Sequence, residues 1–87
     1  MKQEQILHYP RLDTILMVEE TIRKAKEYPS KRQLKMALSK DIMYQTFNLI
    51  LKYLEESGKI AIKDRRVIWI WNPEMVRKYF SSNLVVE

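Results

Sequence analysis

The sequence predicts a mainly α-helical domain of the α+β class, closed by one small β-hairpin. Three observations predict it. Apolar residues recur at three- and four-residue intervals between residues 11 and 57. Two short β-branched and aromatic runs then follow the only Gly of the chain. With 87 residues there is room for a single small domain, because chains of this size bury only about 60% of their unfolded surface.

The elements follow in order. Residues 1–10 form an N-terminal lead ending in Tyr9-Pro10, and a helix is expected just after the Pro. The first helix spans residues 11–27. Its stripe is Ile15, Val18, Ile22 and Ala25, with Leu12, Leu16 and Met17 widening the apolar surface near its start, and Tyr28-Pro29 stops it. Ser30 is an N-cap for a short second helix over residues 31–38, with Leu34, Ala37 and Leu38 at core spacing. Residues 39–41 make a turn.

The third helix is expected over residues 42–57. Met43, Phe47, Ile50, Leu51 and Leu54 form its core stripe, with Ile42, Thr46, Leu49 and Tyr53 beside them. Asp41, Tyr44, Gln45, Asn48 and Lys52 are left outward. Gly58 supplies the left-handed residue that ends the helix. Residues 59–63 and 67–71 then read as two strands around a three-residue loop, Asp64-Arg65-Arg66. Pairing Lys63 with Val67 puts Ile60, Ile62, Ile68 and Ile70 against the helices, and Lys59, Ala61, Val67, Trp69 and Trp71 on the other face, with Ala61 opposite Trp69. Asn72-Pro73-Glu74 opens a last helix carrying Met75, Val76, Tyr79 and Phe80, followed by the apolar tail Leu84, Val85 and Val86. Residues 11–71 thus form the domain. Residues 72–87 form a C-terminal helix and tail that pack on it or on a partner copy.

Charge is unevenly distributed. Residues 30–71 hold nine basic and four acidic residues, whereas the flanks hold seven of each, so the whole net charge of +5 falls in the centre. A basic centre between neutral flanks predicts a surface that faces a polyanion.

Enzyme chemistry finds no support. There is no Cys, which excludes disulfides, thiolate metal sites and cysteine nucleophiles, and the single His8 lies in the lead without an acid-base partner set. Glu19-Glu20 and Glu55-Glu56 are adjacent on helices, so each pair diverges instead of converging on a metal. One Gly cannot build a phosphate-binding loop. The expectation is a non-enzyme with no cofactor and no metal. Met17, Met36, Met43 and Met75 fall at helical positions where core filling is the ordinary role. No uncharged run approaches the ~20 apolar residues of a membrane span. Residues 1–10 have no signal-peptide pattern, so a cytoplasmic protein without a membrane partner is expected.

The spacing Phe47-x3-Leu51-x2-Leu54-x3-Gly58-x-Ile60, in the stretch FNLILKYLEESGKI preceded by SKRQLKMALS, resembles the winged helix-turn-helix superfamily. The likeness covers about residues 11–71 and is nearest to small archaeal and bacterial transcriptional regulators. The turn between the second and third helices is longer here than in a minimal helix-turn-helix. The resemblance implies a third helix in the DNA major groove and a hairpin wing on the adjacent backbone or minor groove. Gln45 and Asn48 carry the paired donors and acceptors that suit adenine edges; Tyr44 and Lys52 suit phosphates; Arg65 and Arg66 tip the wing. Lys31, Arg32, Lys35 and Lys40 sit on or beside the second helix, where the DNA backbone passes. Double-stranded DNA is therefore the expected partner and regulation of transcription the expected role. A homodimer is expected through the first helix and the C-terminal segment. The alternative is a winged-helix protein-interaction module without DNA binding, which would use an open face around Trp69 and Trp71.

Overall fold

The computed structural model describes residues 9–74 together with Arg77 and Lys78. His8, Met75, Val76, Tyr79, Phe80, Leu84, Val85 and Val86 lie outside the described residues. Within them the chain runs α1 (Leu12–Lys24), α2 (Lys31–Ala37), α3 (Tyr44–Glu56), β1 (Ile60–Lys63) and β2 (Arg66–Trp69), the strands forming an antiparallel hairpin. The α+β class and the order of elements are those expected.

All three helices contribute to one core. Val18 and Ile22 of α1, Leu34 of α2, and Phe47, Ile50, Leu51 and Leu54 of α3 are buried together with Ile60 and Val67 of the hairpin. The expected stripes account for most of this set. Two features trim the helices. In α1 the chain leaves helical geometry at Ala25 (ψ 129°), three residues before the end expected from Tyr28-Pro29, and Ala25 is exposed. The released segment reaches the sheet, where the Val67 N–H donates to the Pro29 carbonyl at 2.8 Å and Ser30 forms an isolated antiparallel bridge with Arg66. In α3 the helix begins at Tyr44, two residues later than expected, because Leu38 and Ile42 turn inward as partly buried plugs of the core.

The ends that bear on the site are well specified. Ser30 caps α2 in a full capping box: its hydroxyl accepts from the Gln33 N–H at 3.1 Å and the Gln33 side chain accepts from the Ser30 N–H at 3.0 Å. At the far end of α3 the Lys59 N–H donates to the Leu54 carbonyl and the Gly58 N–H to the Glu55 carbonyl, with Gly58 at φ 79°. That is a Schellman end, and it turns the chain straight into β1. The Lys59 ammonium then meets the Glu19 carboxylate at 3.3 Å, pinning the hairpin base to α1. Asn72 is the expected helix opener: its side-chain oxygen accepts from the Glu74 N–H at 3.0 Å, and Pro73, Glu74, Arg77 and Lys78 are helical.

The hairpin register differs from the sequence expectation by one residue. Lys63 pairs with Arg66 instead of Val67, and the loop is the two-residue Asp64-Arg65, with both residues at positive φ. Such a loop matches the right-handed twist of the strands, which a three-residue count does not require here. Because side chains alternate, the slip exchanges the faces of β2. Val67 and Trp69 therefore join Ile60 and Ile62 on the core side, Ala61 pairs with Ile68 instead of Trp69, and Ile70 is exposed.

A Cβ added at Gly58 would meet nothing within 4 Å, so only its backbone conformation resists substitution. Gly58→Ala is expected to lower stability by about 1 kcal/mol, read as a shift in the urea midpoint with an unchanged slope. An unchanged midpoint would mean that the helix end does not depend on the left-handed residue.

Candidate nucleic-acid interface

The residues expected to meet DNA fall into two groups. The first is built by α2 and the start of α3. Lys31 and Arg32 follow the Ser30 cap and are exposed, as is Lys40 in the turn. On α3, Gln45, Asn48 and Lys52 are all exposed and spaced i, i+3, i+7, which lines them along one helical face. Phe47, Ile50, Leu51 and Leu54 take the opposite face into the core, so core packing fixes how this polar stripe is presented.

Lys35 and Tyr44 have local roles. The Lys35 ammonium lies 3.4 Å from the Asp41 carboxylate and 5.6 Å from the centre of the Tyr44 ring. The Tyr44 ring in turn stands edge-on to buried Phe47, at 6.1 Å between centroids. These contacts tie α2 to the N-terminus of α3. Beside them is a groove of about 420 Å³ lined by Arg32, Lys35, Met36, Leu38, Asp41 and Tyr44. A Lys engaged by a carboxylate and a ring is less available to phosphate than Lys31, Arg32 or Lys40. Its first effect is to orient its neighbours.

The second group is the hairpin end. Lys63, Arg65 and Arg66 are exposed. Arg66 is not at the tip: it lies in β2, and its guanidinium donates to the Tyr28 carbonyl at 2.8 Å. It thereby braces the segment leading to Ser30 and links the hairpin to the start of α2. Arg65 occupies the tip, at φ 65°. Two-residue loops of this kind favour Asn-Gly or Asp-Gly, and Asp64 suits the first position, but an Arg in the left-handed region is strained by about 1 kcal/mol. Among the described residues no hydrogen bond or ion pair of the Arg65 side chain offsets this strain, and the side chain is exposed.

Two expectations about apolar residues need correction. Met36 and Met43 do not fill the core; they are 76% and 68% exposed, Met36 because Leu34 already supplies the buried contact of a seven-residue helix and Met43 because it precedes α3 as its N-cap. Met17 is partly buried against the core, as expected. Trp69 is also no open platform: it packs on the core, with the Arg23 guanidinium 5.9 Å from its ring centre. The sequence reading missed the pairing of residues 28–30 with β2. An extended Tyr-Pro-Ser between helices is the signal that was there to find it.

Among the described residues, no group of three or more His, Asp or Glu could hold a metal ion, and no helix is long and apolar enough to cross a membrane. At the start of α1 the Arg11 guanidinium donates to the Asp13 carboxylate at 3.2 Å and holds its pKa below the ordinary value. No protein-family model, curated protein or solved structure matches this chain.

Arg65→Gly is expected to stabilise the fold by about 1 kcal/mol, because Gly adopts the left-handed conformation without strain. It should at the same time weaken binding to duplex DNA. Thermal melts and DNA titrations of the same variant check both, and a variant that gains stability while keeping full affinity would remove Arg65 from the interface.

Proposed function

We propose that this chain is a winged helix-turn-helix protein that binds double-stranded DNA and regulates transcription, with α3 entering the major groove and the β1–β2 hairpin as the wing. The observation that carries the reading is the arrangement around α3. The exposed face of α3 is polar and uncharged over its first two turns, at Gln45 and Asn48, and charged from Lys52 onward; the helix is followed directly by a hairpin tipped with Arg65, and preceded by a short helix whose exposed end carries Lys31 and Arg32. Cations on both sides of a neutral reading surface suit a duplex, whose two phosphate backbones flank the groove. The isolated antiparallel bridge between Ser30 and Arg66 supports the same reading, because it joins the connection between α1 and α2 to the edge of the hairpin.

Each residue then has a task. Gln45 and Asn48 face base edges. Lys52, Lys31, Arg32 and Lys40 meet phosphates, and Arg65 reaches the backbone or minor groove beyond the wing. Tyr44 and Lys35 hold the two helices in register, and Arg66 fixes the wing to the α2 cap. An adaptor working through an open Trp face has less support, since Trp69 is engaged by the core and Arg23. The protein acts as a homodimer in this reading. Leu12 and Leu16 of α1 are exposed (68% and 51%), as is Tyr9 ahead of the helix (83%), and a second copy covering these apolar residues would present two α3 helices to half-sites about one DNA turn apart.

Binding to a fluorescent random-sequence 30-base-pair duplex, followed across salt concentration, tests the reading. The expected log–log slope is about −4 to −6, and Arg65→Ala should reduce its magnitude by about 1. No binding at low salt would overturn the proposal. Light scattering at micromolar concentration is expected to give twice the 10.6 kDa chain mass, and a monomer would remove the dimer from it.

A further inference from the structure

We infer that α3 selects A·T over G·C base pairs, reading adenine in the major groove through the carboxamides of Asn48 and Gln45; this rests on the DNA-binding reading above. The argument starts from what the exposed face of α3 contains and lacks. Residues 42–51 carry no charge at all, a run bounded by Asp41 and Lys52. In the first two turns of the helix Tyr44, Gln45 and Asn48 are the exposed residues, with Thr46 and Leu49 half-buried beside them and Met43 exposed at the N-cap. The acidic pair Glu55 and Glu56 sits at the opposite end of the helix, where its charge disfavours close approach to phosphate. Electrostatics thus directs the N-terminal half of α3 into the groove.

The chemistry of that half is one-sided. A carboxamide presents a donor and an acceptor side by side, which matches the N6 amino group and N7 of adenine. Guanine offers two acceptors there, N7 and O6, and its usual partner is a guanidinium or an ammonium. No Arg or Lys occupies the first two turns of α3. A carboxamide before guanine leaves its oxygen facing an acceptor, so G·C is disfavoured as well as unrewarded. Exposed Met43, and the ring of Tyr44 held in place by Lys35 and Phe47, add apolar surface at the start of the helix. In the major groove, apolar surface finds its match in the thymine methyl group. Donor-acceptor pattern and apolar contact therefore select the same base pair.

The cations do not contribute to this choice. Lys31, Arg32, Lys40 and Arg65 lie around the stripe, Lys52 continues it one turn beyond Asn48, and all five meet phosphates, which are the same in every sequence. Affinity and selectivity are consequently carried by different residues, and they can be separated experimentally.

The test uses the full chain and three 30-base-pair duplexes at one salt concentration: alternating A·T, alternating G·C, and alternating A·T with 7-deazaadenine in place of adenine. Wild type is expected to bind the A·T duplex at least tenfold more tightly than the G·C duplex and to lose most of that advantage on 7-deazaadenine, which lacks the N7 acceptor. Gln45→Ala with Asn48→Ala is expected to bind both natural duplexes about equally, with an unchanged salt slope; both sites are exposed on a helix, so the variant should fold, and its urea midpoint checks this. Equal wild-type binding to A·T and G·C, or a G·C preference, overturns the inference and leaves the DNA-binding reading standing. An A·T preference that survives 7-deazaadenine or the double variant also overturns it, because the selection would then come from the wing in the minor groove. No binding to any duplex at low salt overturns both.

Discussion

The bond from the Val67 N–H to the Pro29 carbonyl joins the connection between α1 and α2 to the hairpin, and the rest of the surface is arranged from that join. It requires α1 to stop at Lys24, because helical backbone over residues 25–29 could not reach β2. It places Ser30 next to Arg66, and the Ser30 side chain then starts α2 through its capping box. The direction of α2, and with it the position of Lys31 and Arg32, is set by the sheet. Arg66 reinforces the join by donating to the Tyr28 carbonyl, so a residue that reads from the sequence as a free cation of the hairpin loop is used to hold the hairpin in place.

The other end of the hairpin is fixed by α3. The Schellman end at Gly58 carries the chain from the last turn of α3 into β1, and the Lys59–Glu19 ion pair holds that corner against α1. Ile60 and Val67 are buried among the α3 residues, so hairpin and helix belong to one core and cannot swing independently. The proposed reading stripe of Gln45, Asn48 and Lys52 is thus presented by a helix whose other side is locked by four buried apolar residues. The first two turns of that helix present a neutral polar surface, with Lys52 one turn beyond Asn48 and with Lys31, Arg32 and Arg65 on neighbouring elements.

Most of this was legible in the sequence. Period-3.6 stripes identified Val18, Ile22, Leu34, Phe47, Ile50, Leu51 and Leu54 as core, and Ser30 and Gly58 marked a helix start and a helix end through local backbone chemistry. The hairpin was legible as two strands but not in register. Loop length depended on whether Asp64 and Arg65 would both take positive φ, and the preference against Arg there was outweighed by pairing Lys63 with Arg66 and burying Val67. The exposed Met36 and Met43 were misread because apolar spacing cannot distinguish a core residue from one left at a helix edge. The bridge at Ser30 was missed because a single residue pair carries no periodic signal.

The account holds that duplex DNA lies across α2, the first two turns of α3 and the hairpin tip, leaving α1 to other contacts. Backbone amide chemical shifts recorded while a short A·T-rich duplex is added test this residue by residue. The prediction is that the largest changes fall at Lys31 and Arg32, over residues 43–48, and at Asp64 and Arg65, with residues 14–24 of α1 nearly unchanged. Changes concentrated on α1 and around Trp69, with α3 silent, would contradict it and make the surface an interface for protein.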